Sequence, residues 1–129
     1  MLGGETGLGA NGFAMDLDGL YVITFGGVTG SRANGGVVVL KGRRFHGGDS
    51  SYYYVGDYDA SDSPLVIGRG RIVKYNAIAP NVFGDSAPEF EVILRGQIGS
   101  GGVIRGTMSR AVNPNVALPF VLELKERLP

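Results

Sequence analysis

The chain has 129 residues, no cysteine, and 12 basic and 12 acidic side chains. This length suffices for one domain with a real core, and the missing cysteines exclude disulfides and thiolate metal sites. The zero net charge argues against electrostatic DNA binding, which needs a concentrated basic face, and no apolar run reaches the roughly 18 residues of a membrane helix.

The first 14 residues, MLGGETGLGANGFA, are Gly-rich and have no hydrophobic period. They predict a flexible leader before a single domain over residues 15–129. Residues 7–12 match G-x-G-x-x-G, but the dinucleotide site needs a strand before this motif and a helix after it. Here there is no room for a strand before it and a strand follows, so we interpret the motif as linker. The segment also lacks the basic and apolar regions of a signal peptide, which favours a cytoplasmic protein.

Short β-branched and aromatic runs between turn residues predict eight strands. They cover residues 18–25, 35–41, 44–47, 52–59, 65–75, 89–98, 103–111 and 120–127. Loops are predicted at 26–34 and 113–115, a hairpin turn at 99–102, and at most one short helical turn, beginning at Pro80. The 23 glycines are aperiodic and are assigned to turns and bulges. The fold class is therefore all-β, an eight-stranded antiparallel up-and-down barrel of the lipocalin or calycin type.

Alternation along the strands predicts which side chains face outward. In residues 89–98 the even positions are apolar or glycine and the odd positions are mostly charged or polar. Arg69 and Arg71 share one face of the preceding strand, where they could lie opposite Glu89 and Glu91. Such cross-strand pairs are worth about 0.2–1 kcal/mol each. We interpret them as a solvated charge ladder, and the alternative is an anion site at the two arginines.

The densest group of unusual residues is RRFHGGDSSYYYVGDYD, residues 43–59, which contains the only histidine, His46. His46, Asp49, Ser50 and Ser51 have the residue types of a catalytic triad. A triad, however, needs groups that converge through the fold, with the serine on a strained elbow. These four lie on one turn, and we interpret Asp49 as a turn residue whose carboxylate accepts backbone N–H groups. We therefore predict no catalytic residues.

Metal and cofactor sites are not predicted either. One histidine, no cysteine and acids on alternating faces make a poor ligand set. Asp57, Asp59 and Asp62 lack the spacing of a calcium loop.

Tyr52, Tyr54 and Tyr58 fall on one face of their strand, and Tyr53 falls on the other. Tyrosine combines apolar area with a polar tip, which suits a core boundary or a protein interface. Three roles are therefore open for Tyr52, Tyr54, Tyr58 and His46. They could line the core, line a ligand cavity inside the barrel, or form a protein interface. The neighbouring aspartates argue against nucleic-acid stacking, which favours basic neighbours.

Three segments, DGLYVITF, GGVVVLKGRRFHGGDSSYYYVGDY and NVFGDSAPEFEVILRGQI, resemble the GrlR-like family of type III secretion negative regulators. The resemblance covers residues 16–128. Its most specific part is a Gly-Gly-Asp turn, a tyrosine-containing strand and a glycine, here Gly47, Gly48, Asp49, Tyr54 and Gly56. It implies a small lipocalin-like barrel that forms a homodimer and that binds a transcriptional activator rather than DNA.

The founding member of that family carries an acidic Glu-Asp-Glu-Asp run, implicated in partner binding, on the loop after the tyrosine strand. The matching positions here are Ala60, Ser61, Asp62 and Ser63, of which only Asp62 is acidic. The resemblance thus implies a non-enzymatic regulator with a partner-binding loop at Asp59, Ser61, Asp62 and Ser63. The alternative that the barrel leaves open is a calycin-like carrier of a small apolar ligand.

Overall fold

The computed structural model describes residues 16–26, 33–76 and 81–129, which form eight strands and one short 3₁₀ turn. The strands are β1 Gly19–Gly26, β2 Ala33–Lys41, β3 Arg44–Gly48, β4 Tyr52–Asp59, β5 Leu65–Lys74, β6 Glu89–Ile98, β7 Val103–Arg110 and β8 Asn113–Glu126. Each strand pairs antiparallel with the next, and β8 pairs with β1, which closes the barrel. The predicted eight-stranded up-and-down barrel is confirmed.

Several predictions fall on residues outside the described part of the chain. These are the leader at 1–14, its G-x-G-x-x-G motif, most of the loop at 26–34, and Pro80. The 3₁₀ turn instead occupies Ser100–Gly102, within the predicted hairpin turn, where Gly101 and Gly102 have φ of 71° and 74°. Glycine reaches this left-handed region without the steric cost of a side chain.

The prediction is wrong at the start of the last strand. The loop expected at 113–115 is the beginning of β8. In this first half of β8, Asn113 and residues 117–119 pair with β7, and a register shift separates them. Within the described residues, β1 joins β8 only from Phe120 onward. The turn residues Pro114 and Pro119 therefore lie on an edge, where a missing N–H is tolerated.

Many glycines serve packing inside strands, which corrects their assignment to turns. Among described residues, positive φ at glycine occurs only at Gly42, Gly84, Gly101 and Gly102. Gly56 and Gly70 pair across β4 and β5, and the Phe45 ring lies against both. A Cβ atom would lie 2.5 Å from Phe45 Cζ at Gly56 and 2.6 Å from it at Gly70. At both positions a backbone carbonyl oxygen of the paired strand, from Arg69 or Val55, lies closer still, so glycine here makes room for the ring and for a close approach of two strands.

The core runs through the barrel interior. Along β1 the alternate positions Tyr21, Ile23 and Phe25 are buried, and the intervening side chains are half-buried on the outside. Phe25 packs edge-to-face on Tyr54 with ring centroids 5.8 Å apart. Such aromatic pairs stabilise by about 0.5–1.5 kcal/mol beyond their buried area.

Candidate functional site

The barrel interior is nearly filled. An apolar cavity of about 60 Å³ remains, and the aromatic rings that line it belong to Phe25, Phe45, Tyr54, Tyr58 and Phe120. Pockets for drug-sized ligands measure roughly 300–1,000 Å³. The interior as it stands therefore has no room for such a ligand.

One end of the barrel is closed by the residues before β1. Leu17 is buried, and its carbonyl oxygen accepts a hydrogen bond from the Tyr21 hydroxyl at 2.8 Å. The Asp18 carboxylate accepts from the backbone N–H of Gly42 at 3.0 Å, which ties this segment to the β2–β3 turn. At the same end, burial raises the pKa of Tyr58 to about 12.

The opposite end is closed by residues 81–88. Phe83 packs edge-to-face on Phe90, with ring centroids 5.7 Å apart. The guanidinium carbon of Arg110 lies 4.3 Å from the Phe90 ring centroid and 4.9 Å from that of Phe83, within cation–π range. Arg110 also donates two hydrogen bonds to Asp85, at 2.6 and 2.9 Å. These contacts hold the segment across the barrel mouth.

Asp85 accepts most of the hydrogen bonds that hold residues 81–88 over this end of the barrel. Besides Arg110, its Oδ1 accepts from the Asn81 side chain and from the Ala87 backbone N–H, both at 2.9 Å. The hydrogen bonds from Arg110 and then from Ala87 and Asn81 hold the pKa of Asp85 below its ordinary value of 3.8. Among the described residues, two buried atoms at this end have no protein hydrogen-bond partner, the Tyr52 hydroxyl and Arg110 Nε.

Replacing Asp85 with Asn should lower the melting temperature near neutral pH, because it removes a charged acceptor from Arg110. The folded pKa of Asp85 is depressed, so its contribution is full above the unfolded value of 3.8 and is lost as pH falls through the folded pKa. The difference between wild type and variant should therefore shrink as pH is lowered below about 3.8. Thermal unfolding followed by circular dichroism at several pH values measures it.

Glu89→Gln is the matched control for this variant. Glu89 accepts from Arg71 at 3.1 Å, and these side chains are 51% and 48% exposed. Asp85 is exposed to the same extent, at 49%, but its partner Arg110 is only 15% exposed. Exposed pairs contribute about 0–1 kcal/mol, so the control should barely move the melting temperature. A destabilisation by Asp85→Asn that stays constant down to the lowest pH would contradict the assignment.

The predicted tyrosine cluster divides between the inside and the outside of the barrel. Tyr52, Tyr54 and Tyr58 are buried and point inward, whereas Tyr53 is exposed. Tyr54 and Tyr58 line the cavity, and Tyr52 lies at the end covered by residues 81–88. His46 is exposed on the outer surface of β3, between Val39 of β2 and Val55 of β4, so the fold does not bring it to the buried tyrosines.

Asp49 organises the turn between β3 and β4. Its Oδ1 accepts from the backbone N–H groups of Ser51 and Tyr52, both at 2.8 Å, and its Oδ2 accepts from the Tyr54 hydroxyl at 2.6 Å. Its backbone carbonyl accepts from the Tyr75 hydroxyl. Burial, followed by the hydrogen bond to Asp49, raises the pKa of Tyr54. In the part of the chain that the structure describes, no hydrogen bond connects Asp49 to His46.

Alkaline pH should unfold the barrel through its buried tyrosines. Tyr54 and Tyr58 have folded pKa values raised above the ordinary 10.0. Their contribution to stability is therefore full below pH 10.0 and is lost as pH rises through the folded pKa. We expect buried-tyrosine ionisation, measured by tyrosinate absorbance, to coincide with loss of the circular dichroism signal above about pH 10.

Tyr58→Phe removes one of these ionisations and should make the alkaline loss of stability shallower. Complete tyrosine ionisation with an unchanged circular dichroism spectrum would contradict the prediction.

A trough of about 390 Å³ crosses the outer surface from β3 to β6. Arg71 lies opposite Glu91, and its Nη1 donates to Glu89 at 3.1 Å. Arg69 instead lies opposite Ile93 on β6 and opposite Asp57 on β4. The β5–β6 register pairs Arg71 with Glu91, so Arg69 pairs with the residue two positions further along β6. The expected pairing with glutamates thus holds for Arg71 and is wrong for Arg69.

The β4–β5 loop is tightly turned and exposed. Asp59 Oδ1 accepts from the Ser61 backbone N–H at 2.8 Å, and the Asp62 carbonyl oxygen accepts from Leu65 N–H at 2.9 Å. Hydrogen bonds from Ser61 hold the pKa of Asp59 below its ordinary value. Ala60 is buried and anchors the loop on the barrel, while Ser61 and Asp62 are exposed. The loop is thus fixed at its base and accessible at its tip.

Two apolar side chains beside this loop were not singled out from the sequence. Leu65 and Ile67 are 41% and 36% exposed on the outer surface of β5. Alternation with the half-buried Val66 is the signal that could have found them, because it places both on the outward face. We call Ser61, Asp62, Ser63, Leu65 and Ile67 together the β4–β5 surface.

Taken together, these features define a closed up-and-down β-barrel with a nearly filled interior. In residues 16–26, 33–76 and 81–129, no group of three or more His, Cys, Asp or Glu side chains could hold a metal ion. Over the same residues, no helix has the length and apolar character needed to cross a membrane. Comparison of the chain with protein-family models and with curated proteins finds no match.

Proposed function

We propose that this protein is a non-enzymatic cytoplasmic regulator that binds a protein partner on the outside of its barrel. The observation that carries the proposal is the nearly filled interior, whose cavity measures only about 60 Å³. Leu17 covers one end and residues 81–88 cover the other, so the surfaces available for binding are on the outside. The resemblance to GrlR-like regulators supplies the class of partner, a transcriptional activator.

We assign partner binding to the β4–β5 surface. The loop of this surface is already held by hydrogen bonds, so it loses little conformational freedom on binding, which favours affinity. Leu65 and Ile67 supply exposed apolar area beside the polar loop tip. An apolar centre with a polar rim is the usual anatomy of a protein interface. Asp62 is the sole acid at positions 60–63, so the partner needs less basic charge than a partner that binds the acidic run of the GrlR-like family.

A bacterial two-hybrid screen against transcriptional activators, followed by calorimetry with the purified pair, tests this function. Leu65→Glu should weaken the complex by at least about tenfold, because it places a charge in the apolar centre. Val112→Glu is the matched control, since Val112 is 88% exposed and lies outside the β4–β5 surface. A screen that returns no activator, or a complex that both variants leave intact, would overturn the proposal.

A carrier of a small apolar ligand is the second candidate function. The feature that favours it is the aliphatic and aromatic lining of the interior cavity. Entry of a drug-sized ligand would require residues 81–88 to move away and break the Asp85–Arg110 contact. Saturable one-to-one binding of an apolar fluorescent probe, tighter in Asp85→Asn than in wild type, would support it. Absence of saturable binding to both proteins would exclude it.

A further inference from the structure

Next to the β4–β5 loop, the outer surface of β5, β6 and β7 combines apolar and basic side chains. The strand register arranges these side chains in two rows, each with one residue from each strand. The rows are Leu65, Gln97 and Arg105, and Ile67, Arg95 and Thr107. We call these six positions the β5–β7 face. All six are exposed and none is acidic.

The two arginines of this face lie on a diagonal, because Arg95 pairs with Thr107 and Arg105 pairs with Gln97. Diagonal neighbours on adjacent strands are about 7–8 Å apart, so two positive charges are held close together. The ion pairs among the described residues involve other arginines. The repulsion between Arg95 and Arg105 is therefore a cost to the sheet that an anionic partner would relieve.

The carboxylates nearest to this pair do not neutralise it. Glu123 of β8 lies diagonal to Arg105, and no ion pair joins the two. Asp59 of β4 is separated from Arg95 by Ile67 of β5, and its carboxylate accepts a hydrogen bond within the β4–β5 loop. The charge of the two arginines is thus available to a ligand.

We propose that the β5–β7 face binds an acidic segment of the partner protein, in which carboxylates stand next to apolar side chains. Leu65 and Ile67, which are 41% and 36% exposed, supply the apolar contact. Arg95 and Arg105 supply guanidinium groups, which bind carboxylates through paired hydrogen bonds and are enriched at protein interfaces. The inference rests on the proposed function for the position of the partner, and it adds the chemistry of the segment that docks.

A nucleic acid is the other class of polyanion that arginines bind. It requires a concentrated basic face, whereas the net charge of this chain is zero and the β5–β7 face contains two arginines. Phosphates would also leave Leu65 and Ile67 without a partner. An acidic segment that carries apolar side chains uses both kinds of group, and the charge and the apolar area therefore favour it.

Fluorescence anisotropy with a labelled synthetic peptide that repeats Leu-Leu-Glu-Glu tests the proposal. In an extended chain, this repeat presents leucine and glutamate alternately on each face. The peptide should bind wild type saturably, and Arg95→Glu should weaken binding at least about tenfold. Arg44→Glu is the matched control, because Arg44 is an exposed arginine on β3, and it should bind as wild type does. Circular dichroism of each variant confirms folding.

Two further peptides separate the contributions of charge and apolar area. Peptides that repeat Leu-Leu-Lys-Lys or Ser-Ser-Glu-Glu should bind at least about tenfold more weakly, because the first reverses the charge and the second lacks leucine. No saturable binding of the Leu-Leu-Glu-Glu peptide, or equal binding by Arg95→Glu and Arg44→Glu, would overturn the proposal. Tighter binding of a single-stranded oligonucleotide than of the peptide would overturn it in favour of nucleic acid.

The same variants distinguish this inference from the proposed function. An activator complex that Leu65→Glu weakens but Arg95→Glu leaves intact would contradict the acidic segment alone. A screen that returns no activator, with the peptide still bound at the β5–β7 face, would contradict the regulatory function and leave the acidic-segment site in place.

Discussion

Gly56→Ala is expected to destabilise the barrel by about 2–3 kcal/mol, the upper part of the roughly 1–3 kcal/mol that overpacking a core costs. The added methyl group would lie 2.5 Å from Phe45 Cζ and close to the Arg69 carbonyl oxygen of the paired strand. The ring could shift, but the backbone carbonyl belongs to the β4–β5 ladder and has little freedom. Urea unfolding at equilibrium measures the change in the free energy of unfolding.

Gly99→Ala is the matched control for Gly56→Ala. A Cβ at Gly99 meets only the Val103 carbonyl oxygen, at 3.4 Å, an ordinary contact distance. Adding Phe45→Leu to Gly56→Ala should recover part of the lost stability, because leucine is smaller than phenylalanine and leaves space for the added methyl group. Equal stability of the two alanine variants would contradict the prediction, because it would mean that the barrel can accept a methyl group at Gly56.

Asp49→Ala is expected to destabilise by about 2–4 kcal/mol, because hydrogen bonds to a charged group are worth about 1.5–3 kcal/mol. The variant removes the acceptor of the Ser51 and Tyr52 N–H groups and of the Tyr54 hydroxyl. Tyr54 is only 4% exposed, so water cannot readily replace the lost partner. Thermal and urea unfolding both report the loss.

Asp59→Ala controls for the loss of a turn aspartate, because the Asp59 side chain accepts from Ser61 at an exposed site. Its effect should be much smaller than that of Asp49→Ala, because water can replace the carboxylate as the acceptor for the Ser61 N–H. Tyr54→Phe combined with Asp49→Ala should cost less than the sum of the two single changes, since both remove one shared hydrogen bond. Strict additivity would place the stabilising role of Asp49 outside that contact.

Alternation of side chains made the barrel predictable from the sequence. The bounds of β4 and β6 match the prediction. β6 alternates clearly between apolar and polar side chains, and β4 is an aromatic run that lies between two turns. Asp49 also has the turn role predicted for it, because its carboxylate accepts a hydrogen bond from the backbone N–H of Ser51, two residues later. This local bond is typical of aspartate in turns. These features depend on nearby residues, which is why they could be inferred.

Features that depend on distant strands could not be inferred in this way. Asn113 and Pro114 have turn chemistry, and their place in β8 follows from pairing with β7 across the hairpin. Arg69 meets Ile93 because of the β5–β6 register, which the sequence leaves undetermined. Likewise, the packing of Phe45 over Gly56 and Gly70 spans three strands and leaves no local pattern.

The candidate surfaces show the same division. The loop after the tyrosine strand was identified by resemblance, whereas the apolar side chains beside it required the outward orientation of β5 to be known. Strand order and register, rather than composition, decide which side chains share a surface.

Closure of the barrel by β1 and β8 has a consequence for synthesis on the ribosome. Leu20 pairs with Glu126, so the first strand waits for the last to emerge before its free edge is covered. Until then β1 and β7 present unpaired backbone groups, the feature by which nascent sheets aggregate. Chains cut short before β8 should therefore accumulate as aggregates, and a chaperone that holds the nascent barrel should bind until the closing strand arrives.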